Sequence, residues 1–129
     1  MRVAVCGGKD FLAMHLISAV LFKVHRANHI TELLIGNSRG VDEIVNDWAA
    51  RTGIPVRHIN SDWLSYGEDA DDVRNQLIID ERPDIIVLFP GGKRTNDLLN
   101  KAITAGHKNV LHVDPTRKRR PARVAGDYA

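Results

Sequence analysis

The chain is poor in cysteine, in aromatic residues and in long apolar runs. Its 129 residues include one cysteine, Cys6, and only 5% aromatic side chains. A lone cysteine excludes an intramolecular disulfide, and zinc sites that use cysteine usually take at least two. The apolar run over residues 85–90 is far shorter than the ~20 residues of a membrane-spanning helix, and no apolar export signal opens the sequence. We therefore expect a cytoplasmic protein in a reducing compartment, without membrane association.

The composition predicts one folded domain followed by a basic tail. A hydrophobic content of 43% in 129 residues suffices for a single core. Residues 1–114 carry thirteen basic and fifteen acidic side chains, whereas residues 115–129 carry five basic side chains and one acidic one. Apolar periodicity also stops at Pro115, which predicts a domain over 1–114 and a flexible extension over 115–129. The basic cluster at 117–123 predicts weak, salt-sensitive contact with nucleic acid.

Strand-like runs alternate with helical stripes along the domain. Strands are predicted over 3–6, 32–35, 56–60, 84–89 and 109–113. Four helices are predicted from apolar stripes running from Leu12 to Val24, Val41 to Ala49, Val73 to Ile78 and Leu98 to Ile103, with Thr95 capping the last. This alternation predicts an α/β fold, a doubly wound parallel sheet of five strands in the order 3-2-1-4-5 with helices on both faces. Ligands of such sheets bind at the switch point between strands one and four.

Two glycine-bearing loops flank this predicted crevice. The first covers residues 6–10, with Gly7 and Gly8, and the fourth covers residues 89–95, with Gly91 and Gly92. Paired glycines allow backbone N–H groups to approach a ligand, and a following helix N-terminus favours an anion. A third loop at 36–42 adds glycines and donors, so the three loops together indicate a site for phosphate or a phosphoribosyl group. The alternative is that these glycines only permit tight turns.

Standard nucleotide and metal motifs are absent from the sequence. Neither G-x-G-x-x-G nor G-x-x-x-x-G-K-[ST] occurs, which argues against hydrolysis of Mg-ATP by a P-loop mechanism. His25 and His29 have helical spacing but lack an H-E-x-x-H context, which favours solvated histidines. We therefore predict no metal and no cofactor.

An ordered set of short motifs resembles a known family. The set comprises C-G-G-K-D at 6–10, G-x-D at 40–42, W-A at 48–49, D-W at 62–63, R-N at 74–75 and P-G-G-x-x-T at 90–95. Over roughly residues 2–113 the chain resembles the YpsA-related branch of the SLOG superfamily. The resemblance implies a Rossmann-like domain that binds nucleotides or nucleotide-derived ligands. Relatives in the superfamily include cytokinin-activating phosphoribohydrolases, and analogy with them implies a homodimer.

The chain departs from the phosphoribohydrolase pattern P-G-G-x-G-T-x-x-E at two positions. Arg94 stands where the pattern has its last glycine, and Leu98 stands where it has glutamate. Leucine cannot transfer a proton, so the usual catalytic carboxylate is missing. A further departure is Asp71, where the branch usually has glycine, and it either narrows the pocket or accepts a hydrogen bond from a ribose. We expect Arg94 to swing outward and contact an anion directly.

These observations predict binding or sensing of an anionic, nucleotide-derived ligand. One alternative is an N-glycosidic or phosphoribosyl hydrolase in which Asp10, Asp42 or Asp97 replaces the glutamate; another is a nucleic-acid-associated factor that uses the tail. Arg74 either binds phosphate or pairs with the acidic cluster at 68–72, and Trp63 either stacks on a base or packs as a core or lid residue. The predicted ligand-binding residues are Gly7, Gly8, Lys9, Asp10, Gly36, Ser38, Arg39, Gly40, Asp42, Trp63, Arg74, Asn75, Pro90, Gly91, Gly92, Lys93, Arg94 and Thr95.

Overall fold

Five parallel strands form one sheet with helices on both faces. The structure, a computed structural model, describes residues 1–115. In chain order the elements are β1 (Arg2–Cys6), α1 (Met14–Asn28), β2 (Glu32–Ile35), α2 (Val41–Thr52), β3 (Val56–His58), α3 (Trp63–Tyr66), α4 (Ala70–Asp80), β4 (Ile85–Leu88), α5 (Lys93–Thr104) and β5 (Val110–His112). The strand order β3-β2-β1-β4-β5 confirms the prediction of a doubly wound, Rossmann-like sheet. None of the helices within residues 1–115 is long and apolar enough to cross a lipid bilayer.

The predicted basic tail falls almost entirely outside the described residues. Residues 116–129, which include the basic cluster at 117–123, are not described. The expectations of a flexible extension and of nucleic-acid contact therefore stay predictions.

The central strands are buried on both faces, which explains their uninterrupted apolar sequences. Val3 and Val5 of β1 pack in a core with the inner faces of α1 and α2. Ala4 and Cys6, which point the opposite way, pack in a second core with Ile78 of α4 and residues of α5. Because helices cover both faces, the strands show no polar alternation. The result places the carboxyl ends of β1 and β4 side by side, with Cys6 in register with Leu88.

Two helix starts differ from the predicted ones. Helix α1 begins at Met14, and Leu12 lies before it with 65% of its surface exposed, so its assignment to the buried stripe is wrong. Helix α5 begins at Lys93 after Gly92, and the Asn96 N–H donates to the Gly92 carbonyl at 3.1 Å. Thr95 is therefore inside the helix rather than its cap. Its buried hydroxyl instead lies 3.7 Å from the Cys6 Sγ.

Helix α4 buries a mixed rather than an apolar stripe. Its buried residues are Ala70, Arg74, Asn75 and Ile78, whereas Leu77, which belongs to the apolar stripe that predicted this helix, is 49% exposed. Arg74 and Asn75 are adjacent in sequence, and both are buried on the inward side of α4. A buried arginine in a helix needs polar partners, and these partners define the site described below.

Candidate ligand-binding cavity

A cavity of about 1140 Å³ opens at the carboxyl ends of the strands. This volume slightly exceeds the range of roughly 300–1,000 Å³ that is common for small-molecule sites. Fifteen of the predicted ligand-binding residues line it: Gly7, Gly8, Lys9, Asp10, Gly36, Ser38, Arg39, Trp63, Arg74, Pro90, Gly91, Gly92, Lys93, Arg94 and Thr95. Five further lining residues were not in the predicted set: Phe11, Asn37, Asn60, Ser61 and Asp71.

The first and fourth loops touch through their glycines. The Gly8 N–H donates to the Pro90 carbonyl at 2.8 Å. A methyl group added at Gly91 would lie 2.9 Å from the Gly8 nitrogen and would overlap the Thr95 hydroxyl, whereas one added at Gly92 would meet no atom within 4 Å. Gly91 is therefore required by close packing, and Gly92 faces open space at the helix start. Together the two loops form a continuous backbone floor at the switch point.

Gly40 joins the second loop to the first from behind the cavity wall. Its φ of +77° favours glycine, and an added methyl group would lie 2.5 Å from the Gly8 carbonyl oxygen. The next residue, Val41, donates its N–H to the same oxygen at 3.3 Å. Gly40 does not line the cavity, but it fixes the backbone of the first loop, which does.

The Arg74 guanidinium reaches the cavity wall through the core. The residue is 1% exposed. Its Nε donates to the Ile59 carbonyl at 3.1 Å, and its Nη1 lies 3.1 Å from the Asn75 Oδ1 and 3.5 Å from the Cys6 Sγ. Its Nη2 is buried without a hydrogen-bond partner. Arg74 makes no ion pair within 4.0 Å with any carboxylate of residues 1–115, so the alternative of a salt bridge to the acidic cluster at 68–72 is not what the structure has.

Asn75 supports the site without lining the cavity. Its Nδ2 donates to the Arg94 carbonyl at 2.9 Å and to the Asp97 Oδ2 at 3.0 Å, while its Oδ1 accepts from Arg74. One buried amide thus ties Arg74 to the first turn of α5. The sequence prediction listed Asn75 as a ligand-binding residue. In the structure it lies behind the residues that line the cavity.

Arg94 turns into the cavity rather than outward. Its Nη1 donates to the Ser38 Oγ at 2.9 Å, and its Nη2 donates to the Gly7 carbonyl at 3.3 Å. Two carboxylates flank the same guanidinium, with Asp42 Oδ2 3.8 Å from Nη2 and Asp71 Oδ1 4.0 Å from Nη1. Arg94, which departs from the phosphoribohydrolase pattern, and Asp71, which departs from the glycine expected for the YpsA-related branch, are therefore neighbours.

The two carboxylates beside Arg94 have different surroundings. The Asp42 side chain is only 1% exposed and lies behind the cavity wall; its Oδ2 accepts from the Ser38 N–H at 3.1 Å, and its Oδ1 has no hydrogen-bond partner. Asp71 lines the cavity, with its side chain 32% exposed, and accepts a hydrogen bond from the Ser61 hydroxyl at 2.5 Å. Among the ion pairs of residues 1–115, Arg94 is the only partner of Asp42 and the only partner of Asp71.

The charge of the cavity wall is positive overall. Its basic side chains are Lys9, Arg39, Arg74, Lys93 and Arg94, against the carboxylates of Asp10 and Asp71. Asp10 and Arg39 form a pair at 3.5 Å whose side chains are 95% and 71% exposed, so solvent screens it strongly. The 12-residue helix α5 also starts at the cavity, and the N–H groups of its first turn have no intrahelical acceptors. Both features favour an anion.

Trp63 stands at the rim as a half-exposed aromatic ring. It opens the short helix α3, is 55% exposed and lines the cavity, so the alternative of a core residue is wrong. The Asp62 side chain accepts from the Ser65 N–H at 3.1 Å and caps this helix. Asn60 and Ser61, just before it, follow β3. The rule that ligands lie at strand carboxyl ends could have included them, although this loop has no glycine to mark it.

One family model matches the chain. It covers residues 1–66, about half of the sequence, and is described as YAcAr, the YspA, cpYpsA-related SLOG family. The chain belongs to this SLOG family. The matched segment contains the first and second loops and Trp63, while Arg74 and the fourth loop lie beyond it. No curated protein matches the chain.

Proposed function

We propose that this SLOG protein binds or senses an anionic, nucleotide-derived ligand, with a phosphate group between the first and fourth loops. Membership of a family of nucleotide-ligand-binding proteins supports the general class. The observation that carries the proposal is the Arg74 Nη2, which is buried at the cavity and has no hydrogen-bond partner.

A buried guanidinium with unused donors is costly unless a partner arrives. Arg74 directs Nε and Nη1 to protein acceptors and leaves both Nη2 hydrogens unused. An unsatisfied charged donor costs more than the roughly 1–3 kcal/mol of a neutral one. Gly36 leaves space beside this atom, because a methyl group there would lie 3.0 Å from Nη2. A phosphate oxygen is the kind of acceptor that arginine binds best.

The helix start and the glycine floor support the same anion independently. Gly8 and Gly91 keep side chains out of the floor, and α5 presents its positive end there. A phosphate in this position would meet backbone donors on one side and Arg74 on another. The remaining volume and the rim ring of Trp63 suit a sugar and a base, since exposed aromatic rings stack readily on planar heterocycles.

The hydrolase alternative gains no support from the surroundings of its proposed carboxylates. Leu98, at the position of the missing glutamate, is fully buried in the core between α4, α5 and the sheet. Asp97 is held by Asn75 and Lys101, and Asp42 lies behind the wall. Asp10 lines the cavity but is paired with Arg39 at the rim. Binding is therefore the function that we propose.

Titration calorimetry with AMP and adenosine tests the proposal. AMP should bind, and adenosine should bind far more weakly because it lacks the phosphate. Arg74→Lys keeps a buried positive charge but removes the Nη2 donors, and we expect AMP affinity to fall by about tenfold or more for a lost charged hydrogen bond of roughly 1.5–3 kcal/mol. Arg51→Lys, on the exposed side of α2, is the matched control. Equal affinity of the parent for AMP and adenosine would overturn the proposal, as would an unchanged affinity in folded Arg74→Lys.

A further inference from the structure

The hydrogen bonds of the Arg94 side chain go to the protein itself. Its positive charge is therefore the property that can act on a ligand. Its Nη1 donates to the Ser38 Oγ, and its Nη2 donates to the Gly7 carbonyl. The side chain is 15% exposed, so little of it reaches the open part of the cavity. These contacts come from the first and second loops, and they fix the guanidinium from two directions.

The guanidinium lies beside two carboxylates that would repel an anionic ligand. Asp42 lies 3.8 Å away and Asp71 4.0 Å away, both beyond hydrogen-bond distance but within strong Coulomb interaction. Asp42 is almost fully buried; its Oδ2 is the atom near Arg94, and its Oδ1 has no hydrogen-bond partner. Without a cation between them, these two carboxylates would add negative charge to the wall that adjoins the glycine floor.

We propose that Arg94 is a positioning residue that neutralises Asp42 and Asp71, and that it thereby sets the preference of the cavity for charged over neutral ligands. This inference rests on the proposed function. Arg94 acts on the ligand through the carboxylates that it screens, whereas Arg74 would touch the phosphate itself. The site thus has one arginine for contact and another for charge balance.

Charge balance and direct contact predict different effects of removing Asp71. If Arg94 screens the carboxylates, then losing its charge exposes them, and neutralising Asp71 restores part of the affinity. If Arg94 instead contacts the ligand, the loss of Asp71 cannot replace that contact. A lysine at position 94 would keep the charge but cannot reproduce the planar pair of hydrogen bonds to Ser38 and Gly7.

Calorimetric titration with inorganic phosphate and with AMP separates these possibilities. We expect Arg94→Met to weaken both by about tenfold, which corresponds to about 1.4 kcal/mol. Arg94→Lys should stay within about threefold of the parent, and Arg94→Met/Asp71→Asn should recover at least half of the lost free energy. The single variant Asp71→Asn should bind phosphate more tightly than the parent, which tests the inference even if Arg94→Met does not fold. Lys93→Met, also on the cavity wall but in none of the ion pairs of residues 1–115, is the matched control: Asp71→Asn should gain more affinity in the Arg94→Met background than in the Lys93→Met background.

The outcomes separate the role of Arg94 from the proposed function. Parent protein that binds phosphate and AMP, together with Arg94→Met of unchanged affinity, overturns the role of Arg94 alone. A double variant no better than Arg94→Met, or Asp71→Asn no tighter than the parent, also overturns it. Parent protein that binds neither phosphate nor AMP overturns both proposals.

Discussion

Replacing Gly91 by alanine tests the contact between the first and fourth loops. The added methyl group would overlap the Thr95 hydroxyl and lie 2.9 Å from the Gly8 nitrogen. Neither neighbour yields easily. Thr95 is 3% exposed, so its side chain cannot turn into solvent, and the Gly8 nitrogen is backbone held at 2.8 Å by the Pro90 carbonyl. The loops must therefore move apart to admit one methyl group.

The size of the effect follows from two opposing contributions. Overpacking by a methyl group costs about 1–3 kcal/mol of unfolding free energy. Restricting the unfolded chain at a glycine returns about 0.4–1 kcal/mol. We expect Gly91→Ala to lower the unfolding free energy by about 1–2 kcal/mol. Gly92→Ala meets no atom within 4 Å, so its change should be about 0.5 kcal/mol or less, set by the weaker N-cap.

Urea denaturation of the matched pair measures this difference. The midpoint should fall clearly for Gly91→Ala and barely for Gly92→Ala, with equal slopes for both. Adding Thr95→Ala to Gly91→Ala removes the overlapping hydroxyl and should recover part of the loss. Equal midpoints for the two single variants would refute the argument that Gly91 is needed for close approach.

Other predictions concern the core, the helix surface and the tail. Leu98→Glu should destabilise the fold by several kcal/mol in urea denaturation without creating nucleotide hydrolysis, because this position faces the core; a stable variant that releases base from AMP would contradict this. The Lys101 pKa is raised, first by its hydrogen bond to Asp72 and also by the charge of Asp97. A raised folded pKa gives stability that is present below the unfolded value and lost as pH rises through the folded one, so Lys101→Met should show a smaller loss of stability than the parent above about pH 10. Truncation after Asp114 should abolish salt-sensitive binding to DNA or RNA in a filter assay while leaving the unfolding midpoint unchanged; an unfolded truncated domain would show that the tail is structural. Light scattering at tens of micromolar should give the mass of a homodimer, and the monomer mass would contradict this prediction.

Sequence periodicity predicted the sheet because the central strands β1, β2 and β4 are largely apolar runs, each followed by a helix. The order 3-2-1-4-5 followed from right-handed crossovers and short connections. Helix ends were less accurate. Thr95 has the residue type of a cap, but the chain already enters the helix at Lys93 because Gly92 supplies the first carbonyl acceptor. Leu77 fits an apolar stripe, yet the neighbouring polar residues occupy the inward side of α4.

Side-chain directions in the cavity depended on contacts between distant parts of the chain. Arg94 turns inward because its acceptors, Ser38 and the Gly7 carbonyl, are 56 and 87 positions away in sequence. Arg74 similarly points at an acceptor on Ile59 and not at the acidic residues beside it. Local pattern places such residues near the correct loop, but only the assembled sheet decides which partner each one meets.

The mixed polar and apolar inward side of α4 makes us expect that ligand binding in the cavity changes the local stability of α4 and α5. On the inward side of this helix, only Ala70 and Ile78 are apolar and fully buried, while Arg74 and Asn75 depend on polar partners. Helix α1, in contrast, is fastened by four buried apolar residues. A ligand that satisfies Arg74 should therefore slow amide hydrogen exchange in α4 and in the start of α5, which Asn75 bridges, and leave α1 nearly unchanged. Ligand binding would then be detected as slower hydrogen exchange on the α4–α5 side of the sheet, with little change in the average structure.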